Sequence, residues 1–131
     1  MAINLNEVTR ALVDGRNYAT ISTLNKDGSP HSCVMWIARD GDDLLFSTVR
    51  GRVKERNLAR DPRASVTLWD KENPETYVEF RGTVAITDDE GRALVESLAL
   101  KYLGEPYPPE DPSVERVVLR LTPTKITGNA A

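Results

Sequence analysis

The chain has 131 residues, 40% apolar and 28% charged, which fits one soluble globular domain spanning residues 1–131. Seventeen basic against 20 acidic side chains leave a net charge of −3, which excludes a generally nucleic-acid-binding surface. A single cysteine, Cys33, and a single histidine, His31, exclude an internal disulfide and a Cys/His zinc site.

No apolar run approaches the roughly 20 residues of a membrane-crossing helix. The opening MAINLNEV has neither the basic nor the apolar region of a secretory leader, so a cytoplasmic location is expected. Residues 6–14 place Val8, Ala11 and Leu12 on one helical face, with Asn6 as cap and Gly15 as stop. Tyr18–Leu24 reads as a strand, and Asn25-Lys26-Asp27-Gly28 as a hairpin turn. A second strand is expected over His31–Ala38 and, after Asp40-Gly41, a third over Leu44–Val49. Tight turns join antiparallel neighbours, so these three form a meander. A short helix is expected from Gly51 to the stop at Asp61-Pro62. Ala64–Trp69 and Tyr77–Thr87 read as strands separated by a loop at Asn73-Pro74. Asp88 or Asp89 caps a helix that carries Leu94, Leu98 and Tyr102 and ends at Gly104. The four prolines from Pro106 to Pro112 make a rigid loop, and Val117–Leu121 with Lys125–Thr127 supplies a last strand broken at Pro123. The result is a mainly β fold with inserted helices, about six strands in a small antiparallel barrel.

Charge is unevenly spread. Residues 50–63 hold six bases and two acids, net +4, so the other 117 residues carry −7. Ser47 and Thr48 end a strand just before this segment, where free N–H groups at a helix start and two hydroxyls suit an anion. Arg52, Arg56 and Arg60 repeat at i, i+4 and i+8, a like-charge spacing that costs about 0.2–0.5 kcal/mol per pair. A solvated basic face neutralised by acids and an anion site explain this segment equally well. Catalytic signatures are otherwise absent: there is no G-x-S-x-G, phosphate-binding loop or G-x-G-x-x-G. His31 reads as a polar side chain at a strand start, and Cys33 as a small apolar one.

The order ATISTLNKDGSPH (Ala19–His31), Val34-Met35-Trp36 and RVKERNLARDPRASV (Arg52–Val66) resembles the pyridoxamine 5′-phosphate oxidase-like superfamily of flavin- and deazaflavin-binding split β-barrels. The likeness continues through EFRGTV (Glu79–Val84), KYLGEPY (Lys101–Tyr107) and RVVLRLTPTKI (Arg116–Ile126). Within that superfamily the chain is most similar to small reductases that use coenzyme F420. The resemblance implies a six-stranded antiparallel split β-barrel and a homodimer, with each cofactor in a groove between subunits. It implies that Lys54 contacts the cofactor phosphate, with Arg52, Ser47 and Thr48 around it. Val34, Met35 and Trp36 would line the tricyclic ring, and His31 and the Glu75–Tyr77 stretch, Tyr77 included, match positions near the cofactor. The acidic polyglutamate tail of F420 offers partners to Arg50, Arg56 and Arg60. The implied activity is hydride transfer from reduced F420 to an activated double bond of a small organic substrate. An FMN-dependent oxidase or reductase, or a non-catalytic flavin or deazaflavin carrier, are the alternatives on the same fold. No residue is assigned as proton donor.

Overall fold

The computed structural model describes residues 3–131; Met1 and Ala2, which begin the stretch read above for a leader, lie outside the described residues. Seven strands make one antiparallel sheet: β1 (Ala19–Leu24), β2 (Pro30–Met35), β3 (Ala38–Asp40), β4 (Asp43–Val49), β5 (Arg63–Asp70), β6 (Asn73–Asp88) and β7 (Arg116–Thr127). Their order is β2-β1-β5-β6-β7-β4-β3, so the two strands at opposite edges, β2 and β3, are consecutive in the chain. Only Trp36 and Ile37 separate them. Three residue steps reach about 11 Å at full stretch, so the two edges must come close and the sheet must curl. It curls without closing. The expected six strands become seven because the strand expected over His31–Ala38 is divided at this crossing.

Burial alternates along β1, β4, β5 and the first part of β7, as a one-sided core demands. Ile21, Val66, Leu68, Val78, Phe80, Phe46, Leu119 and Leu121 are all fully buried in one cluster. Each such side chain contributes about 1.5–3 kcal/mol of burial. The break expected at Pro123 is instead a bulge within one continuous strand. Arg81 faces Lys125 and Gly82 faces Pro123, so Thr124 is left over. The loop expected at Asn73-Pro74 is likewise absorbed into the start of β6.

Three helices decorate this sheet. In α1 (Glu7–Asp14) the Thr9 amide donates to the Asn6 side chain at 2.8 Å, and the Gly15 amide ends the helix on the Ala11 carbonyl. The second, α2 (Val53–Arg60), starts two residues later than expected, after the turn at Gly51. Its Leu58 is buried in the main core, and the Asn57 amide donates to Thr23 Oγ1 at 3.1 Å. A 3-10 turn (Glu90–Arg92) leads into α3 (Ala93–Leu103). The buried Asp89 carboxylate accepts from the amides of Leu94 and Val95 at 2.9 and 3.0 Å, and Gly104 in the left-handed region ends the helix. Leu94, Leu98 and Tyr102 form a second cluster with Trp36, Ala38, Leu45 and Val118. Leu45 alternates with Leu44 and Phe46, so α3 lies on the sheet face opposite the main core. Among the described residues no helix is long and apolar enough to cross a membrane.

Candidate functional site

A cavity of about 300 Å³ opens where the chain crosses between the sheet edges. Val34, Met35 and Trp36 come to it from the end of β2, and Tyr18 from the segment before β1. Val95 and Leu98 of α3 add apolar wall. Ser47 of β4, Lys54 of α2 and Arg116 of β7 add the polar groups, and Tyr107 comes from the proline-rich loop.

The aromatic wall is built by stacking. The Trp36 and Tyr102 rings lie 5.3 Å apart with planes within 5°, and Tyr107 meets Trp36 edge-on at 6.2 Å. Tyr107 is itself held by cations. The guanidiniums of Arg116 and Arg92 lie 5.0 and 5.8 Å from its ring centre, and Arg116 donates to its hydroxyl at 3.1 Å. Arg116 also makes a two-pronged pair with Glu110, both bonds 3.0 Å, and Arg92 reaches the same carboxylate at 2.9 Å. Burial works against the charge of Arg116, but the Glu110 carboxylate outweighs it and keeps the pKa above the ordinary value. The bond from Arg116 in turn holds the Glu110 carboxyl below its usual range. Arg116 is therefore committed to the loop.

Lys54 is not committed. It has no ion pair or side-chain hydrogen bond among the described residues, and neither do Arg52 at the cap of this helix and Arg56 on it. The amides of Val53 and Lys54 lie in the first turn of α2, beyond the reach of any intrahelical acceptor. The site thus joins an aromatic wall to a cation at a helix start that has no partner among the described residues.

A family comparison decides the relationship. Residues 5–130 match the pyridoxamine 5′-phosphate oxidase family. The chain belongs to that family. Among solved structures it is similar to an F420 reductase at 31% identity, over 90% of this chain and 94% of that one, with a TM-score of 0.82. It is also similar to a conserved hypothetical protein of Mycobacterium tuberculosis (29% identity, 95% and 84% coverage, TM-score 0.75). A third likeness is to General Stress Protein 26 of Bacillus anthracis (26% identity, 92% and 89% coverage, TM-score 0.72).

Of the residues that the resemblance to this family singled out, Val34, Met35, Trp36, Ser47 and Lys54 meet at the cavity. Thr48 does not join Ser47. Successive strand residues face opposite ways, and Thr48 is buried on the core side with Phe46. Arg52, just before α2, and Arg56 on it stand exposed, outside the cavity lining. Arg50 is held by Asp88 at 2.7 Å and Glu115 at 3.1 Å. Arg60 donates to the Leu24 carbonyl and the Asn57 side chain. Arg63 pairs with Asp61 at 2.7 Å and holds that carboxyl down at about 2. The excess of bases in residues 50–63 therefore reduces to three uncommitted cations.

His31 and Tyr77 are not at this cavity. His31 lies on β2 opposite Thr23, its Nδ1 buried with no hydrogen-bond partner among the described residues. Tyr77 lies on β6 opposite Trp69, and its amide donates to the Asn129 side chain. Sequence reasoning missed Tyr18, Val95, Leu98 and Arg116, which tertiary folding brings in, and preferred a rigid loop to a substrate-side wall for the stretch that carries Tyr107. The available signal there was Tyr107 among prolines, which reads as a rigid loop until Arg116 is seen to clasp it.

Proposed function

We propose that the cavity takes the ring system of coenzyme F420 and that the protein is a reductase acting on an activated double bond of a small organic molecule. The observation that carries this reading is Lys54, a cation without an acidic partner among the described residues at a cavity with an aromatic wall, while Arg50, Arg60 and Arg63 near it in sequence are all occupied. Family membership and the likeness to an F420 reductase support a flavin or deazaflavin oxidoreductase.

The residues present fit such a cofactor. At about 300 Å³ the cavity is at the low end of the roughly 300–1,000 Å³ of ligand sites, enough for a flat ring but not a whole cofactor. Lys54, the Ser47 hydroxyl and the free first-turn amides of α2 would hold the phosphate, and Arg52 and Arg56 lie along the helix for an acidic tail. FMN, with one terminal phosphate, would leave Arg52 and Arg56 without partners. When bound, the deazaflavin supplies the hydride; the chain's own part is to orient the ring against Trp36 and keep water from it. Val34 is 63% exposed and Tyr77 41% exposed. A second copy of the chain would cover such surface, and it is the route by which His31 and Tyr77 would reach a shared cofactor.

Titration of the purified chain with F420 and with FMN, followed by Trp36 emission in a Trp69→Phe background, tests the reading. Micromolar F420 binding to a colourless protein is expected. Tight FMN with no response to F420 overturns it. If F420 binds and its reduced form is not oxidised by any of a panel of enones, the protein is a carrier.

A further inference from the structure

The crossing between the two sheet edges creates a local problem. β2 ends at Met35 and β3 begins at Ala38, so neither strand ladder supplies partners for Ile37. Yet Ile37 is fully buried, where an unpaired amide or carbonyl costs about 1–3 kcal/mol. Two consecutive side chains of α3 resolve it. The Ile37 amide donates to the Tyr102 hydroxyl at 3.1 Å, and the Ile37 carbonyl accepts from Lys101 Nζ at 2.7 Å. Each then reaches further. The Tyr102 hydroxyl donates to the Asn17 carbonyl at 2.6 Å, and Lys101 donates to the Val13 carbonyl near the end of α1 at 2.6 Å. That carbonyl is one of those a helix end leaves unpaired, where a cation is favoured.

We propose that Lys101 and Tyr102 are positioning residues for the cavity: together they grip both polar groups of Ile37, hold the barrel's open seam and so fix the place of Trp36 in the wall. The grip is next to Trp36 in sequence and touches it in space through the Trp36–Tyr102 stack. Lys101 Nζ also lies 5.0 Å from the centre of the Tyr102 ring, so its charge is one ring away from the indole. Neither residue lines the cavity, which separates this role from ligand contact. That the cavity takes a cofactor rests on the reading above; the grip itself does not.

The arrangement carries a pH signature. Burial lowers Lys101 to about 8, opposed only in part by Asp14. The groups facing it are Asp14 on α1 and the Tyr102 ring; Asp14 is in turn bound by Arg39 of β3 at 2.8 and 2.9 Å and feels Arg10 of α1, and the Tyr18 ring packs on Tyr102. Above that point Nζ loses one hydrogen and keeps two, one for each carbonyl, but loses the charge that strengthens both bonds.

The test uses the full chain with Trp69→Phe, so that Trp36 is the sole indole. Wild-type Trp36 emission is expected to titrate with a midpoint near 8, and the step to vanish in Lys101→Met. Lys101→Met and Tyr102→Phe are expected to shift Trp36 emission, to speed exchange of the Ile37 amide, and to raise the Kd for F420 about three- to tenfold. Lys101→Arg, which keeps charge and donors, is expected to recover most of the emission. Folded Lys101→Met and Tyr102→Phe proteins with wild-type emission and Ile37 exchange overturn the proposal, as does persistence of the step in Lys101→Met. If Lys101→Met does not fold, Lys101→Gln takes its place, since it keeps a donor without the charge; a surviving step overturns the proposal there too. Failure of the wild type to bind F420 at any pH sinks the cofactor reading instead, while emission and exchange still decide the grip.

Discussion

The indole of Trp36 and the phenol ring of Tyr102 stack almost parallel, 5.3 Å between centres, and this pair joins the cavity wall to α3. Such a pair contributes about 0.5–1.5 kcal/mol beyond its buried area. Trp36→Leu removes the flat face while keeping an apolar side chain. It is expected to cost about 1–3 kcal/mol in urea unfolding and to abolish the ring contact that orients a cofactor. Unchanged stability together with unchanged F420 affinity would remove Trp36 from both roles.

Lys54 and Arg50 are two cations four residues apart with different expected outcomes. Arg50 is already satisfied by Asp88 and Glu115, whereas Lys54 has no acidic partner among the described residues. Lys54→Ala is expected to weaken F420 binding by about 1–3 kcal/mol, the scale of a charge-assisted hydrogen bond. Arg50→Ala is expected to change it by less than about 0.5 kcal/mol, as for an exposed pair. Fluorescence titration of the two variants side by side measures this, and equal losses would put the anion site elsewhere.

Local chemistry explains which parts were legible in the sequence. Asn6, the turn at Asn25–Gly28, the stop at Asp61-Pro62 and the Gly104 cap act through their own neighbours, and each is where the residues put it. The crossing at Trp36–Ile37 was not legible, because six apolar residues from Cys33 to Ala38 read as one strand. What divides them is the supply of a hydroxyl and an ammonium from α3, more than 60 residues away. The same holds for the site. Ser47 was found from local pattern, and Val34–Trp36 and Lys54 through the resemblance to the family, but the neutralisation of Arg50 by Asp88 and Glu115 depends on where β6 and β7 run.

Asp89 decides how firmly α3 is anchored. Its carboxylate is buried and accepts from two amides at the helix start. Asp89→Ala is expected to lose about 1–2 kcal/mol by chemical denaturation. Because α3 carries Val95 and Leu98 into the cavity, ligand affinity should fall in the same variant. Retained stability would mean that the sheet, not the cap, holds the helix.

Gly82 is a test of the β6–β7 bulge. A side chain there would meet the Thr122 carbonyl, so Gly82→Ala forces two paired strands apart. A cost of about 1–3 kcal/mol is expected, as for overpacking a core. Gly28→Ala provides the control. It has open space around it and only a positive φ of 88° to oppose a side chain, so about 1 kcal/mol is expected. A larger loss at Gly28 than at Gly82 would mean that the bulge can widen freely.

Lys101 makes stability depend on alkaline pH with a definite sign. Its pKa falls from an ordinary 10.5 to about 8 in the folded chain because burial disfavours the ammonium. Between those values the unfolded chain holds more protons than the folded one, so the free energy of unfolding rises with pH across that window. The stabilising contribution is complete above the unfolded value and is lost as pH falls through about 8. Tyrosines titrate in the same range, so the wild type has to be compared with Lys101→Met, in which they remain. Urea midpoints measured from about pH 7 to about pH 11 should climb more steeply in the wild type than in the variant. Parallel curves would mean that the folded chain leaves the ammonium in water, and the carbonyls of Val13 and Ile37 would then need other donors.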